Sequence, residues 1–213
     1  AFTILEREIL RPNGMIVTTG PTGSGKTTSL YAVLKKLNKP DTKIITIEDP
    51  IEYELEGINQ SQVTDSYTFA KGLRSIVRQD PDIIMVGEIR DLDTAEIAIQ
   101  AALTGHLVLS TIHTNDAFGA IPRFLALGAQ PFLLAPALNV SIGQRLVRRV
   151  CDQCKKEIQL DEETMAKVKK LLEEIPKNSG YEVNTEKLKF YQGGGCDVCQ
   201  GLGYKGRIGI FEI

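Results

Sequence analysis

Residues 20–27 read Gly20-Pro21-Thr22-Gly23-Ser24-Gly25-Lys26-Thr27, followed by Thr28. A loop of this composition turns successive backbone N–H groups into one concavity and cradles phosphate oxygens. Lys26 is placed to reach the β- and γ-phosphates, and the Thr27 hydroxyl to coordinate Mg²⁺. The motif also dictates its surroundings: a strand must deliver the chain to the loop, and a helix must open from it with its N-terminus toward the anion. Both are legible. Met15 to Thr19 is apolar and β-branched, and Leu30, Val33, Leu34 and Leu37 recur at helical spacing.

The same alternation continues through the first 150 residues. Lys43 to Ile47 predicts a second strand, ending at Glu48-Asp49-Pro50. Phe69, Leu73, Ile76 and Val77 predict a helix that breaks at Asp80-Pro81. Ile83 to Val86 and Leu107 to Thr111 predict two further buried strands, with a helix from Ala95 to Leu103 between them. We assign that helix Asp93 as its cap, Glu96 as the capping-box partner and Gly105 as its end. Leu134, Leu138, Ile142 and Leu146 fall four apart and predict a helix over 131–149. Strands alternating with helices imply an α/β fold with a mainly parallel sheet, whose ligands sit beyond the carboxyl ends of the strands.

Three side chains with the right chemistry stand at such ends. Glu48 closes the second strand, Glu88 follows Ile83–Val86, and His113 follows Leu107–Thr111. Phosphoryl transfer to water needs the phosphates held, a metal placed, the water oriented and charge stabilised. Glu48 and Glu88 are candidates for the water and metal, and His113 for reading the γ-phosphate. Gly87 stands where an Asp is often found, so Glu88 is expected to meet Mg²⁺ through water. Asp49 and Glu52 read as turn and surface residues, and His106 as structural.

Four cysteines form two C-x-x-C pairs, Cys151/Cys154 and Cys196/Cys199, with 41 residues between them. Four thiolates suit a closed tetrahedral Zn²⁺ site of structural type. An iron–sulfur site, a disulfide pair or free thiols remain the other readings. The wide gap is no obstacle: lengthening a closed loop from ~17 to 41 residues adds under about 1 kcal/mol. The intervening Lys/Glu-rich stretch carries Met165, Val168, Leu172 and Ile175 on one stripe ending at Pro176, a short amphipathic helix with solvated charges. A net charge of −2 leaves no electrostatic footprint for nucleic acid, and no apolar run approaches the ~20 residues of a membrane span.

Taken in order, Gly20 to Thr28, Thr46-Ile47-Glu48-Asp49-Pro50-Ile51-Glu52, Gly87-Glu88-Ile89-Arg90-Asp91 and Gly105-His106 through Asp116-Ala117 resemble the phosphate loop, aspartate box, Walker B segment and histidine box of the secretion ATPase superfamily. Gln144-Arg145-Leu146-Val147 before the cysteine pairs, and Gly206-Arg207-Ile208-Gly209-Ile210-Phe211-Glu212 after them, resemble the branch serving type II secretion and type IV pilus assembly. The resemblance implies a RecA-like P-loop NTPase core over 1–150, a four-cysteine zinc-binding subdomain over 151–200 and a return segment over 201–213. It further implies ATP, Mg²⁺ and Zn²⁺ as ligands, a hexameric ring, and an inner-membrane assembly platform as partner. The location implied is cytoplasmic, peripheral to the inner membrane.

By the same resemblance Glu48 polarises the attacking water, Glu88 serves the Mg²⁺ side and His113 reads the γ-phosphate. The chain lacks an initiating Met and stops inside a predicted strand, so it reads as a piece of a longer protein. Such a piece is expected to bind nucleotide well and to hydrolyse it feebly without the arginines supplied by neighbouring segments. Two other functional classes stay open on sequence: a RecA-like motor acting on DNA, and a nucleotide-gated adaptor without turnover.

Overall fold

The computed structural model describes residues 2–175 and 188–213. Two compact units emerge: residues 1–146 with 209–213, and Val147–Ile208. The first is built on a sheet in the order β3-β2-β4-β5-β1-β6-β9, of which β6 beyond Leu146 and β9 before Gly209 are counted in the second. Its strands are β1 (Gly14–Thr19), β2 (Ile44–Glu48), β3 (Asn59–Gln62), β4 (Ile83–Val86), β5 (Leu107–Ile112), β6 (Leu138–Val150) and β9 (Tyr204–Glu212). Every pairing from β3 across to β6 is parallel. This is the mainly parallel α/β architecture expected from the alternation of elements.

Burial explains why the inner strands were legible. Every residue of β1, β2, β4 and β5 is buried, as parallel strands covered on both faces require. Alternate side chains part to opposite sides. Met15, Val17, Ile45, Ile47, Ile84 and Val86 pack beneath α3 (Phe69–Val77), α4 (Leu92–Leu103) and α6 (Pro131–Ala137). Ile16, Ile44, Ile83 and Met85 pack against Leu30, Tyr31, Leu34 and Leu37 of α2 (Lys26–Leu37). The core is therefore two apolar layers with the sheet between them. The remaining helices of this unit are α1 (Phe2–Glu8) and α5 (Ala120–Leu127).

Two expectations are corrected. The helix over 131–149 ends at Ala137, and Leu138–Val150 is strand β6. A spacing of four satisfies a helix and, as twice two, also a strand face. Val140, Ile142 and Gln144 are buried at alternate positions, so the strand reading prevails. Pro136 near the end of α6 lacks an N–H, and β-branched Val140 and Ile142 follow it. The cap of α4 is Asp91, whose side chain accepts the Thr94 N–H at 2.8 Å. Asp93 sits inside the first turn and pairs with Arg74 instead.

The second unit carries a two-stranded antiparallel ribbon of β7 (Lys155–Ile158) and β8 (Phe190–Gly193). It also holds the expected amphipathic helix, α7 (Glu162–Glu173), none of whose residues is fully buried. The predicted end of that stripe at Pro176 lies outside the described residues.

Candidate nucleotide site and tetracysteine centre

The phosphate loop leaves β1 at Thr19 and enters α2 at Lys26. Gly25 caps that helix with φ near 87°, and Gly23 has φ near 75° with open space where a side chain would stand. Both conformations are costly for other residues. The Ser24 hydroxyl is buried without a partner, an orphan expected of a cradle built for a ligand. The Lys26 amine donates to the loop's own Gly20 and Pro21 carbonyls at 2.9 and 3.1 Å. Desolvation lowers its pKa, and the nearby Glu88 charge opposes that shift. Thr27 is half-buried and Thr28 exposed in the first turn of α2, while Pro21 and Thr22 are exposed on the loop. A glycine-rich loop opening onto a helix N-terminus is the arrangement that suits a polyphosphate.

The structure brings Glu88 and His113 together. His113 Nε2 lies 3.1 Å from one Glu88 carboxylate oxygen, and Arg90 pairs with the other. Hydrogen bonding to Glu88 raises the Arg90 pKa despite some desolvation. Glu88, Arg90 and His113 thus make one polar cluster beyond the ends of β4 and β5, and the Glu88 charge is felt at Lys26. Gly87 is closely packed: a Cβ there would stand 3.3 Å from Glu48 Cα and 3.4 Å from the Phe69 ring.

Glu48 is placed differently. It is 2% exposed and its carboxylate accepts from the Tyr31 and Thr46 hydroxyls and, at 3.0 Å, from Gln60 Nε2. Burial, then the hydrogen bond to Glu48, raises the Tyr31 pKa. His106 bonds through Nδ1 to the Ala101 carbonyl at 3.0 Å, consistent with a structural role. Asp49 and Glu52 are exposed.

Sequence reasoning missed several residues that shape this region. Tyr31 and Gln60 surround Glu48, and Arg90, Gln144 and Glu212 stand in the family motifs with no role that the sequence assigns. Gln144 is buried against the loop and accepts from Ser29 Oγ at 2.8 Å. The loop after β5, which carries His113, is held by Thr19 Oγ1 donating to the Asp116 carbonyl at 3.0 Å. Glu212 Oε2 accepts the Ala117 N–H at 2.7 Å on the same loop. Only β-strand pairing and long-range packing reveal these partners.

In the second unit the four cysteine sulfurs lie within 4.8 Å of one another. Cys151–Cys196, Cys154–Cys199 and Cys196–Cys199 are 3.9, 3.8 and 3.7 Å apart. A tetrahedral Zn²⁺ with bonds of about 2.3 Å requires sulfurs about 3.8 Å apart, so the donor set fits that ion. Burial pushes the Cys199 thiol up, but the N–H groups of Cys196 and Gly203, each 3.2 Å from its sulfur, bring it down to about 6. Burial pushes the Cys154 thiol up to about 11. Such backbone donors around one thiolate orient it for metal.

With the geometry in place, likeness to known proteins is informative. The profile of the family described as "Type II/IV secretion system protein" matches residues 2–213, and the chain belongs to that family. It is 50% identical over 209 residues to the type II secretion system ATPase E of Vibrio cholerae, spanning 97% of this chain and 39% of that protein. It is 49% identical over 214 residues to the type IV pilus assembly ATPase PilB of Thermus thermophilus, spanning 23% of that protein. The chain therefore covers well under half the length of these relatives. Among solved structures, the pilus retraction motor PilT with bound ADP superposes with a TM-score of 0.64 at 40% identity, over 70% of this chain and 47% of PilT. No described helix is long and apolar enough to cross a membrane.

Proposed function

We propose that this chain is the nucleotide-hydrolysing core of a motor ATPase that drives type II protein secretion or type IV pilus assembly. The observation that carries the reading is the convergence of the Gly20–Thr28 loop, Lys26 and the Glu88–His113 pair at strand ends. It is reinforced by likeness to relatives named as secretion and pilus ATPases. ATP is the substrate. The loop amides and Lys26 bind its phosphates, and Thr27 with Glu88 would hold Mg²⁺, which supplies charge neutralisation on the phosphates when bound.

Hydrolysis adds water to the γ-phosphorus, breaks the bond to the β-phosphate oxygen and releases ADP and inorganic phosphate. Glu48 polarises the attacking water and accepts its proton. For this its carboxylate must exchange a bond to Tyr31, Thr46 or Gln60 for one to water. His113, tethered to Glu88, reads the γ-phosphate and relays its presence. Cys151, Cys154, Cys196 and Cys199 hold a structural Zn²⁺ that ties the two C-x-x-C segments together. The working form is a hexameric ring on the cytoplasmic side, engaging an inner-membrane platform protein.

Nucleotide binding by the full-length protein tests this directly. Lys26→Ala removes a cation from the phosphates, where charge-assisted contacts are worth about 1.5–3 kcal/mol each. ATP affinity should fall at least tenfold. The fold should survive, because the amine bonds only to loop carbonyls. Parent-like ATP affinity in Lys26→Ala would remove the basis of the proposal.

A further inference from the structure

Strand β6 pairs with β1 in register, Ile142 with Thr18 and Gly143 with Thr19, so Gln144 comes opposite Gly20, the first residue of the phosphate loop. The fit is close enough that a Cβ on Gly20 would stand 2.2 Å from the Gln144 carbonyl oxygen. The Gln144 side chain is 4% exposed. Its Nε2 packs over Gly25, 2.9 Å from where a Cβ would be, and its Oε1 accepts from Ser29 Oγ at 2.8 Å. Ser29 is itself tied back to the loop, its N–H bonding the Gly25 carbonyl at 3.0 Å. One side chain therefore touches the helix cap of the loop and the first turn of α2.

The opposite face of β6 is equally fixed. Ser141 Oγ donates to the Ala117 carbonyl at 2.7 Å and Arg145 to the Asn115 carbonyl at 3.0 Å. Between them, a Cβ on Gly143 would lie 2.9 Å from the Ala117 N. Strand alternation thus sends 141, 143 and 145 to the loop that bears His113, and 144 to the phosphate loop.

We propose that Gln144 is a positioning residue for the nucleotide: a brace, anchored on a strand tied down from behind, that holds Gly25 and the first turn of α2 in phosphate-binding geometry. This rests on the phosphate loop being the nucleotide site. Gln144 acts on the loop rather than on the γ-phosphate, so ATP and ADP are affected alike.

The test uses the full-length protein with Gln144→Leu, Ser29→Ala and the double variant, measuring binding of ATP and of ADP and steady-state hydrolysis. Gln144→Leu should weaken both nucleotides by about tenfold, the scale of one buried hydrogen bond lost from a preorganised loop. The loss should fall on KM more than on kcat. Ser29→Ala, at a half-buried hydroxyl, should act in the same direction, and the double variant should be no worse than Gln144→Leu, since both remove one contact. Undiminished affinity in both single variants overturns the proposal, as does a loss confined to ATP or a double variant whose effects simply add. Lys26→Ala separates the two levels. If it keeps parent affinity, the nucleotide site itself is misassigned; if it loses binding while Gln144→Leu and Ser29→Ala do not, only the brace is wrong.

Discussion

Removing the Zn²⁺ proposed for the four-cysteine centre should unfold the described part of Val147–Ile208 while leaving the nucleotide site intact. Between Val147 and Ile208, the buried apolar side chains among the described residues are Cys151 and Cys199 alone. The helix α7 buries nothing fully, and Val198, Leu202 and Ile208 are exposed. Its described residues offer no oily core to fall back on. A segment of about 60 residues with ordinary packing would hold roughly 3–9 kcal/mol. Structural zinc in small cysteine-rich peptides contributes about 10–16 kcal/mol at neutral pH. The metal term exceeds the whole expected stability, so the unit and its ion should be gained and lost together. Elemental analysis should find close to one zinc per chain. A chelator, or Cys199→Ser, should then expose 147–208 to protease, with cleavage sites mapped by mass spectrometry. Protons compete for the thiolates, so chelation should become easier as pH falls. ATP affinity should stay near that of the parent. A metal-free chain whose 147–208 segment remains protease-resistant would refute the reasoning, and so would a folded Cys199→Ser variant that no longer binds ATP.

The carboxylates separate by what surrounds them. Glu88→Gln in the full-length protein should lower kcat by about 10²–10⁴ while ATP still binds, the scale of a lost proton-handling or metal-side group. Glu48→Gln should lower kcat too, and it should also lower the melting temperature. Its new NH₂ must face hydroxyl and amide groups that now donate to it, at a cost of about 1–3 kcal/mol. Unchanged turnover in both variants would reduce these residues to turn formers. Gly143→Ala places a methyl 2.8 Å from Glu212 Oε2 and 2.9 Å from the Ala117 N. Overpacking there should cost about 1–3 kcal/mol in denaturant unfolding, and an unmoved midpoint would show that the contact is loose.

What could be read from the sequence, and what could not, divides along a physical line. Strands β1, β2, β4 and β5 were legible because burial on both faces leaves short unbroken apolar runs. The edge strand β3 reads Asn-Gln-Ser-Gln, half-exposed, and exists by virtue of its ladder with β2. No local pattern could have announced it. Asp91 and Asp93 each precede a plausible partner three residues on, so the choice of cap depended on where α4 begins. The single helix expected over 131–149 failed because a spacing of four also fits one face of a strand.

The site divides in the same way. Phosphate, metal and proton chemistry admit few residue types, so Lys26, Glu88, His113 and the cysteine pairs stand out by identity and position. A brace can be almost any side chain that fits: Tyr31 at Glu48, Gln144 at Gly25 and Glu212 at Ala117 are 17, 119 and 95 residues from what they hold. Their identities are set by a cavity that exists only once the sheet has formed. Variants at such positions should therefore change affinity by about tenfold, while Glu88→Gln leaves ATP bound and lowers kcat. That difference is how the two kinds of residue can be told apart by measurement.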